Sequence, residues 1–105
     1  MRRIMKISGW LVLGALSTQA HAQGASENVK RQCRGISEGT ARQIVSARGS
    51  KVDPATAVKR VPDSWLEGVQ AHMLLAASRA DYLTEAELAS LGYSYCIERR
   101  PTDAR

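Results

Sequence analysis

From Glu27 to Arg99, apolar residues return every three or four positions, and strand-like alternation never persists beyond a few residues. The spacing predicts four helical segments. The first covers about Glu27 to Arg48, where Val29, Cys33, Ile36, Thr40, Ile44 and Ala47 fall on one stripe. Arg31, Arg34, Glu38 and Arg42 fall on the opposite face, with Glu38 and Arg42 in the favourable i, i+4 order. Ser26 is placed to cap its N-terminus and Gly49 to stop it. Gly35 and Gly39 weaken the helix by about 1 kcal/mol each relative to alanine. Both lie near its polar edge, so close helix packing is not needed to explain them.

The second segment is short. Asp53-Pro54 reads as an N-cap followed by the first helical position, opening about two turns that run to Arg60 and end at Val61-Pro62. The third runs from about Ser64 to Arg79, with Ser64 and Glu67 spaced as a capping box. Its main stripe is Trp65, Val69, Met73, Ala76 and Ala80; Leu74 and Leu75 lie outside that stripe. A helix apolar on two sides is either central to a bundle or part of an interface. The fourth runs from about Glu85 to Arg99, opened by a second capping box, Thr84 with Glu87, and by a hydrophobic staple, Leu83 with Leu88. Leu88, Ala89, Gly92, Tyr95 and Cys96 share its inward face, and the tail from Pro101 is expected to fray.

Cys33 lies early in the first helix and Cys96 late in the last, both on inward faces. With two cysteines there is one intramolecular pairing, and a bridge needs the Cα atoms within about 7 Å. The first and last helices must then lie side by side. The expected fold is all-α: a small bundle of three main helices plus one short helix, stapled by one disulfide, with Trp65, Val69 and Met73 in the middle. Closing so long a loop stabilises a small domain by about 4 kcal/mol in the chain-entropy model.

The N-terminus adds a compartment. Met1–Lys6 carries Arg2, Arg3 and Lys6 with no acid, Ile7–Leu16 is mostly apolar, and Ala20-His21-Ala22 supplies small residues for cleavage. Residues 1–22 therefore read as a secretory signal peptide and residues 23–105 as a single domain, exported to the periplasm. The apolar core of about ten residues falls short of the ~20 that span a bilayer, so no stable membrane insertion is expected after cleavage. The whole chain has 15 Lys and Arg against 10 Asp and Glu. Three of the bases leave with the leader, and the remaining net charge of +2 gives no case for a nucleic-acid partner.

Candidate chemistry is sparse. His72 is the one histidine of the mature chain and lacks the second histidine of a helical zinc site. Asp81, Glu85 and Glu87 form a local acidic cluster at the start of the last helix, where negative charge complements the helix dipole. No phosphate loop, nucleophile elbow or haem-attachment motif is present, and no cofactor is expected. Of the aromatic residues, Trp65, Tyr82 and Tyr95 fit the core, while Tyr93 lies toward a flank. Leu74, Leu75 and Tyr93 are accordingly the candidate interface residues.

The leader, Cys33, the run from Ala41 to Arg48, the alanine-rich Ala76–Ala80, and Tyr82-Leu83-Thr84 leading to Tyr95-Cys96 together resemble a loose group of small exported helical two-cysteine proteins of proteobacteria and their phages. The group typically has Ile-x-x-x-Arg near the end of the first helix, as Ile44 and Arg48 stand here. It departs at Arg48-Gly49-Ser50, where the group usually has Arg-Gln-Gly. The resemblance implies fold, compartment and disulfide, and no catalytic residues. The expectation is a non-enzymatic protein-interaction module whose partner is a protein, a second copy of the chain included. The alternatives are an immunity-type inhibitor of a secreted toxin enzyme and a periplasmic stress chaperone. An enzyme would instead need a pocket that gathers His72 with Asp81 or Glu85.

Overall fold

A computed structural model of the chain describes residues 24–62 and 64–105; the expected leader, residues 1–22, lies outside them. Among the described residues there are four helices, α1 (Glu27–Gly49), α2 (Pro54–Ala57), α3 (Trp65–Arg79) and α4 (Glu85–Glu98), and no strand. The bundle is all-α, as the periodicity predicts. α1 is its spine: it packs most extensively on α4 and also on α3 and α2, and α3 packs on α4. The Cys33 and Cys96 Cα atoms stand 5.6 Å apart across a disulfide that ties α1 to α4. Both cysteines are fully buried, in a core shared with Val29, Ala41, Ile44, Val69, Met73 and Leu88.

α1 starts where Ser26 accepts a hydrogen bond from the Val29 amide at 3.1 Å. It does not stop at Gly49. The helix includes that glycine, and Lys51 takes the left-handed backbone conformation at φ 60°. The Val52 amide donates to Ala47 O and the Lys51 amide to Arg48 O, the paired bonds of a Schellman motif. The glycine thus stands two positions ahead of the site that favours it. Ser37, rather than Ile36, is the fully buried residue at the next turn; Ile36 is half-buried. A small side chain is required there because Gly92 of α4 comes close: a Cβ built on Gly92 would lie 3.0 Å from Ser37 Cβ and overlap the Met73 thioether. The Ser37 hydroxyl is satisfied within its own helix, donating to Cys33 O at 2.7 Å.

α2 is one turn, not two. Asp53 caps it by accepting from the Ala55 amide, but Val58 is extended at φ −73°, ψ 126°. Burying Val58 in the core outweighs continuing an exposed helix. The chain beyond it is a strap whose backbone is satisfied by side chains. Gln43 accepts from the Lys59 amide at 2.9 Å, and Gln70 accepts from the Val61 amide at 2.9 Å. The Gln70 amide group donates to Lys59 O at 2.9 Å and to Thr40 Oγ1 at 3.3 Å. Gln70 is nevertheless among the most buried residues, which polar groups tolerate only when so engaged.

Ser64 caps α3 through the Leu66 amide, while the Glu67 carboxylate turns to Arg60 at 3.8 Å, so the expected reciprocal box does not form. At α4 both bonds of the Thr84–Glu87 box are made. Between these helices, Arg48 of α1 donates to the carbonyls of Leu83 (2.7 Å), Ala80 (3.2 Å) and Ala77 (3.3 Å). One guanidinium therefore caps the end of α3 and holds the turn into α4. The C-terminal tail, expected to fray, turns back: Ala104 packs against the core and Asn28 Nδ2 donates to Arg105 O at 2.6 Å.

Candidate interaction surface

α3 carries an unusual outward face. Its inward side is complete, with Val69, Gln70, Met73 and Ala77 buried. From Gly68 to Ser78 the helix has no Asp, Glu, Lys or Arg. Its exposed positions in that span are Gly68, Ala71, Leu75 and Ser78. These recur at spacings of three, four and three, which at 100° per residue makes one continuous stripe. A solvated helix face usually holds charged side chains. Here Glu67 and Arg79 bracket the stripe, and Leu75 protrudes from its middle with 48% of its surface exposed. Gly68 is level with the solvent: nothing stands within 4 Å of a Cβ built on it.

The three candidate interface residues sit in different settings. Leu75 is on this outward stripe. Leu74 packs partly against the core and lines a cleft of about 290 Å³ with Arg48, Asp53, Pro54, Ala77 and Asp81. Tyr93 also packs on the core and closes a groove of about 460 Å³ between α1 and α4, floored by Ser37, Ala86, Ala89 and Ser90. The aromatic assignment changes accordingly. Tyr82, expected in the core, is 79% exposed in the turn between α3 and α4, and Tyr93 takes a place against the core instead. The two lie on opposite sides of the Thr84 cap. Only Tyr93 follows the period of α4; Tyr82 belongs to a turn, where periodicity carries no information.

The polar candidates are dispersed. His72 stacks on Tyr95 with ring centroids 3.8 Å apart and planes inclined by 6°, and the Arg99 guanidinium carbon lies 4.9 Å from the centre of the same tyrosine ring. Asp81 lines the Leu74 cleft, Glu85 lines a groove with Glu38 and Arg42, and Glu87 is bound in the α4 cap. Among the described residues, no buried side-chain nitrogen or oxygen lacks a hydrogen-bond partner. None of the described helices is long and apolar enough to cross a membrane. Comparison with protein-family models, with curated proteins and with solved structures gives no match to this chain.

Proposed function

We propose that this chain is exported and acts in the periplasm as a non-enzymatic protein-interaction module, with the outward face of α3 as its contact surface. The observation that carries the reading is the uncharged stripe Gly68, Ala71, Leu75 and Ser78 on a helix whose inward face is already satisfied. A single exposed leucine is ordinary, but a continuous helix face without charge is the kind of surface from which a partner excludes water. The buried Cys33–Cys96 disulfide is compatible with an oxidising compartment, and the basic start, apolar core and Ala20-His21-Ala22 of the N-terminus are the features of a cleaved leader.

Two measurements test this. The mass of the natural product should correspond to a chain beginning at Gln23 with no free thiol; an intact Met1 removes the export half of the reading. A photo-crosslinking amino acid placed at position 75 in living cells should yield discrete protein adducts, and the same group at exposed Ser50 should not. Equal yields at the two positions would refute an interaction surface on α3.

A further inference from the structure

α2 and α3 both pack on α1, and a cleft of about 290 Å³ opens where the three helices meet. Asp53 and Pro54 line it from the start of α2, and Leu74 and Ala77 from α3. Arg48 of α1 and Asp81, just past the end of α3, complete it. The cleft is more enclosed than the grooves along α1 and α4, and more of its lining is apolar than polar. Its three charged side chains do not neutralise one another. Both aspartates share the cleft with Arg48, yet neither forms an ion pair with it; the ion pairs among the described residues are Lys30–Glu27 and Arg60–Glu67. Arg48 is half-buried and held by carbonyls alone, so its charge has no anion opposite it. Those bonds run from its two Nη atoms and leave the Nε–H without an acceptor among the described residues. Asp53 accepts the Ala55 amide through Oδ1, which leaves Oδ2 for another donor.

We infer that this cleft binds a small free amino acid with an aliphatic side chain. Arg48 receives the carboxylate, Asp53 and Asp81 receive the ammonium group, and Leu74, Ala77 and Pro54 cover the side chain. The charge pattern selects the class. A plain anion meets Arg48 but is repelled by two carboxylates, and a plain amine meets the aspartates but is repelled by the guanidinium. A molecule that carries both charges a few bonds apart answers to all three groups, through charge-assisted hydrogen bonds. A peptide separates its terminal charges along its length and presents no such pair to one cleft. The size agrees: 290 Å³ stands at the small end of ligand pockets, which run from about 300 Å³ upward, and suits a metabolite rather than a larger ligand. The apolar wall favours leucine, isoleucine or valine over amino acids with charged side chains. This site is separate from the contact surface proposed on the outward face of α3, and neither proposal depends on the other.

Titration of the nitrogen-15-labelled chain, purified with its disulfide intact, tests the inference by the amide shifts it produces. L-Leucine should give saturable shifts centred on Ala55, Leu74 and Asp81. Two leucine analogues dissect the charges without altering the protein. 3-Methylbutylamine lacks the carboxylate and 4-methylpentanoate lacks the ammonium group, and each should bind at least about tenfold more weakly than leucine, since each forfeits a charge-assisted contact. Asp81→Asn keeps the shape of an exposed side chain and removes its charge. With the helical circular dichroism retained, it should weaken leucine severalfold and leave 4-methylpentanoate bound no more weakly than before. Absence of saturable shifts at these amides overturns the site. So does an amine or a carboxylate analogue that binds as tightly as leucine, because one charge would then suffice. An Asp81→Asn chain with unchanged leucine affinity overturns the role given to that carboxylate and, with it, the ammonium-binding half of the assignment.

Discussion

Gly35 and Gly92 allow one substitution, glycine to alanine, to be read with opposite signs. Both lie inside helices, where alanine is more stable than glycine by about 1 kcal/mol from backbone entropy alone. At Gly35 a new Cβ meets nothing within 4 Å, so Gly35→Ala should keep that whole gain. At Gly92 the new Cβ meets Ser37 Cβ at 3.0 Å and overlaps the Met73 thioether. Met73 is flexible but fully buried, so its sulfur has no free volume to enter, and Ser37 Cβ moves only with α1 itself. Overpacking a core costs about 1–3 kcal/mol, and this site belongs near the upper end. After the entropic gain, Gly92→Ala should lose about 1–2 kcal/mol. For a domain of this size each kcal/mol moves the melting temperature by about 4–8 °C. Thermal and urea melts of the oxidised protein should therefore place Gly35→Ala above wild type and Gly92→Ala below it. The reasoning fails if Gly92→Ala melts at or above wild type, because α1 and α4 would then not be in contact at that turn.

Three further outcomes follow from the packing. Lys51→Gly should raise stability by about 0.5–1 kcal/mol in a urea melt, since a glycine adopts the left-handed conformation without the cost a side chain incurs; a loss would argue against the Schellman turn. Gln70→Leu should cost about 1–3 kcal/mol by freeing the Val61 amide and the Lys59 carbonyl. It should also expose Lys59 and Arg60 to trypsin, and unchanged cleavage there would mean that the strap is held by something else. Reducing the disulfide, or Cys96→Ala, should lower stability by about 4 kcal/mol, a large part of what a small domain has; a reduced protein with the same urea midpoint would contradict that.

What the sequence made legible follows from which forces act locally. The Ser26 cap, the Thr84–Glu87 box and the helices α1, α3 and α4 depend on residues within a turn or two of each other and appear where the spacing places them, but the buried stripes are turned slightly: Ser37 takes the place expected of Ile36, and Gln70 and Ala77 are buried where Ala76 and Ala80 were expected. The pairing of Cys33 with Cys96 followed from there being two thiols on inward faces. The errors sit where a distant partner decides. Gly49 looked like a helix stop because glycine favours the left-handed conformation, yet Lys51 takes that place. α2 looked two turns long until the buried Val58 and the side chains of Gln43 and Gln70 claimed its second turn. Gln70 carries no signal of its own in the sequence, and nothing short of the folded strap reveals that three polar groups converge on it. The Ile44-x-x-x-Arg48 spacing acquires a reason in the fold: it buries the isoleucine and, one turn on, aims the guanidinium at three carbonyls of the α3–α4 junction.

The outward face of α3 separates stability from function more sharply than any other part of the chain. Gly68 weakens the helix by about 1 kcal/mol relative to alanine and has open space above it, so packing within the monomer does not require it. Leu75 leaves half its surface in water, although a lysine or glutamate would serve the helix equally well at that position. The glycine is a cost to an isolated monomer and the exposed leucine brings it no benefit, whereas both suit a helix face that a partner covers. Leu75→Lys should accordingly leave the monomer's stability within about 0.5 kcal/mol of wild type, as surface substitutions do. Measured in dilute solution by urea denaturation, a loss well beyond that would show that Leu75 supports the fold of its own chain. The stripe would then need no partner to explain it.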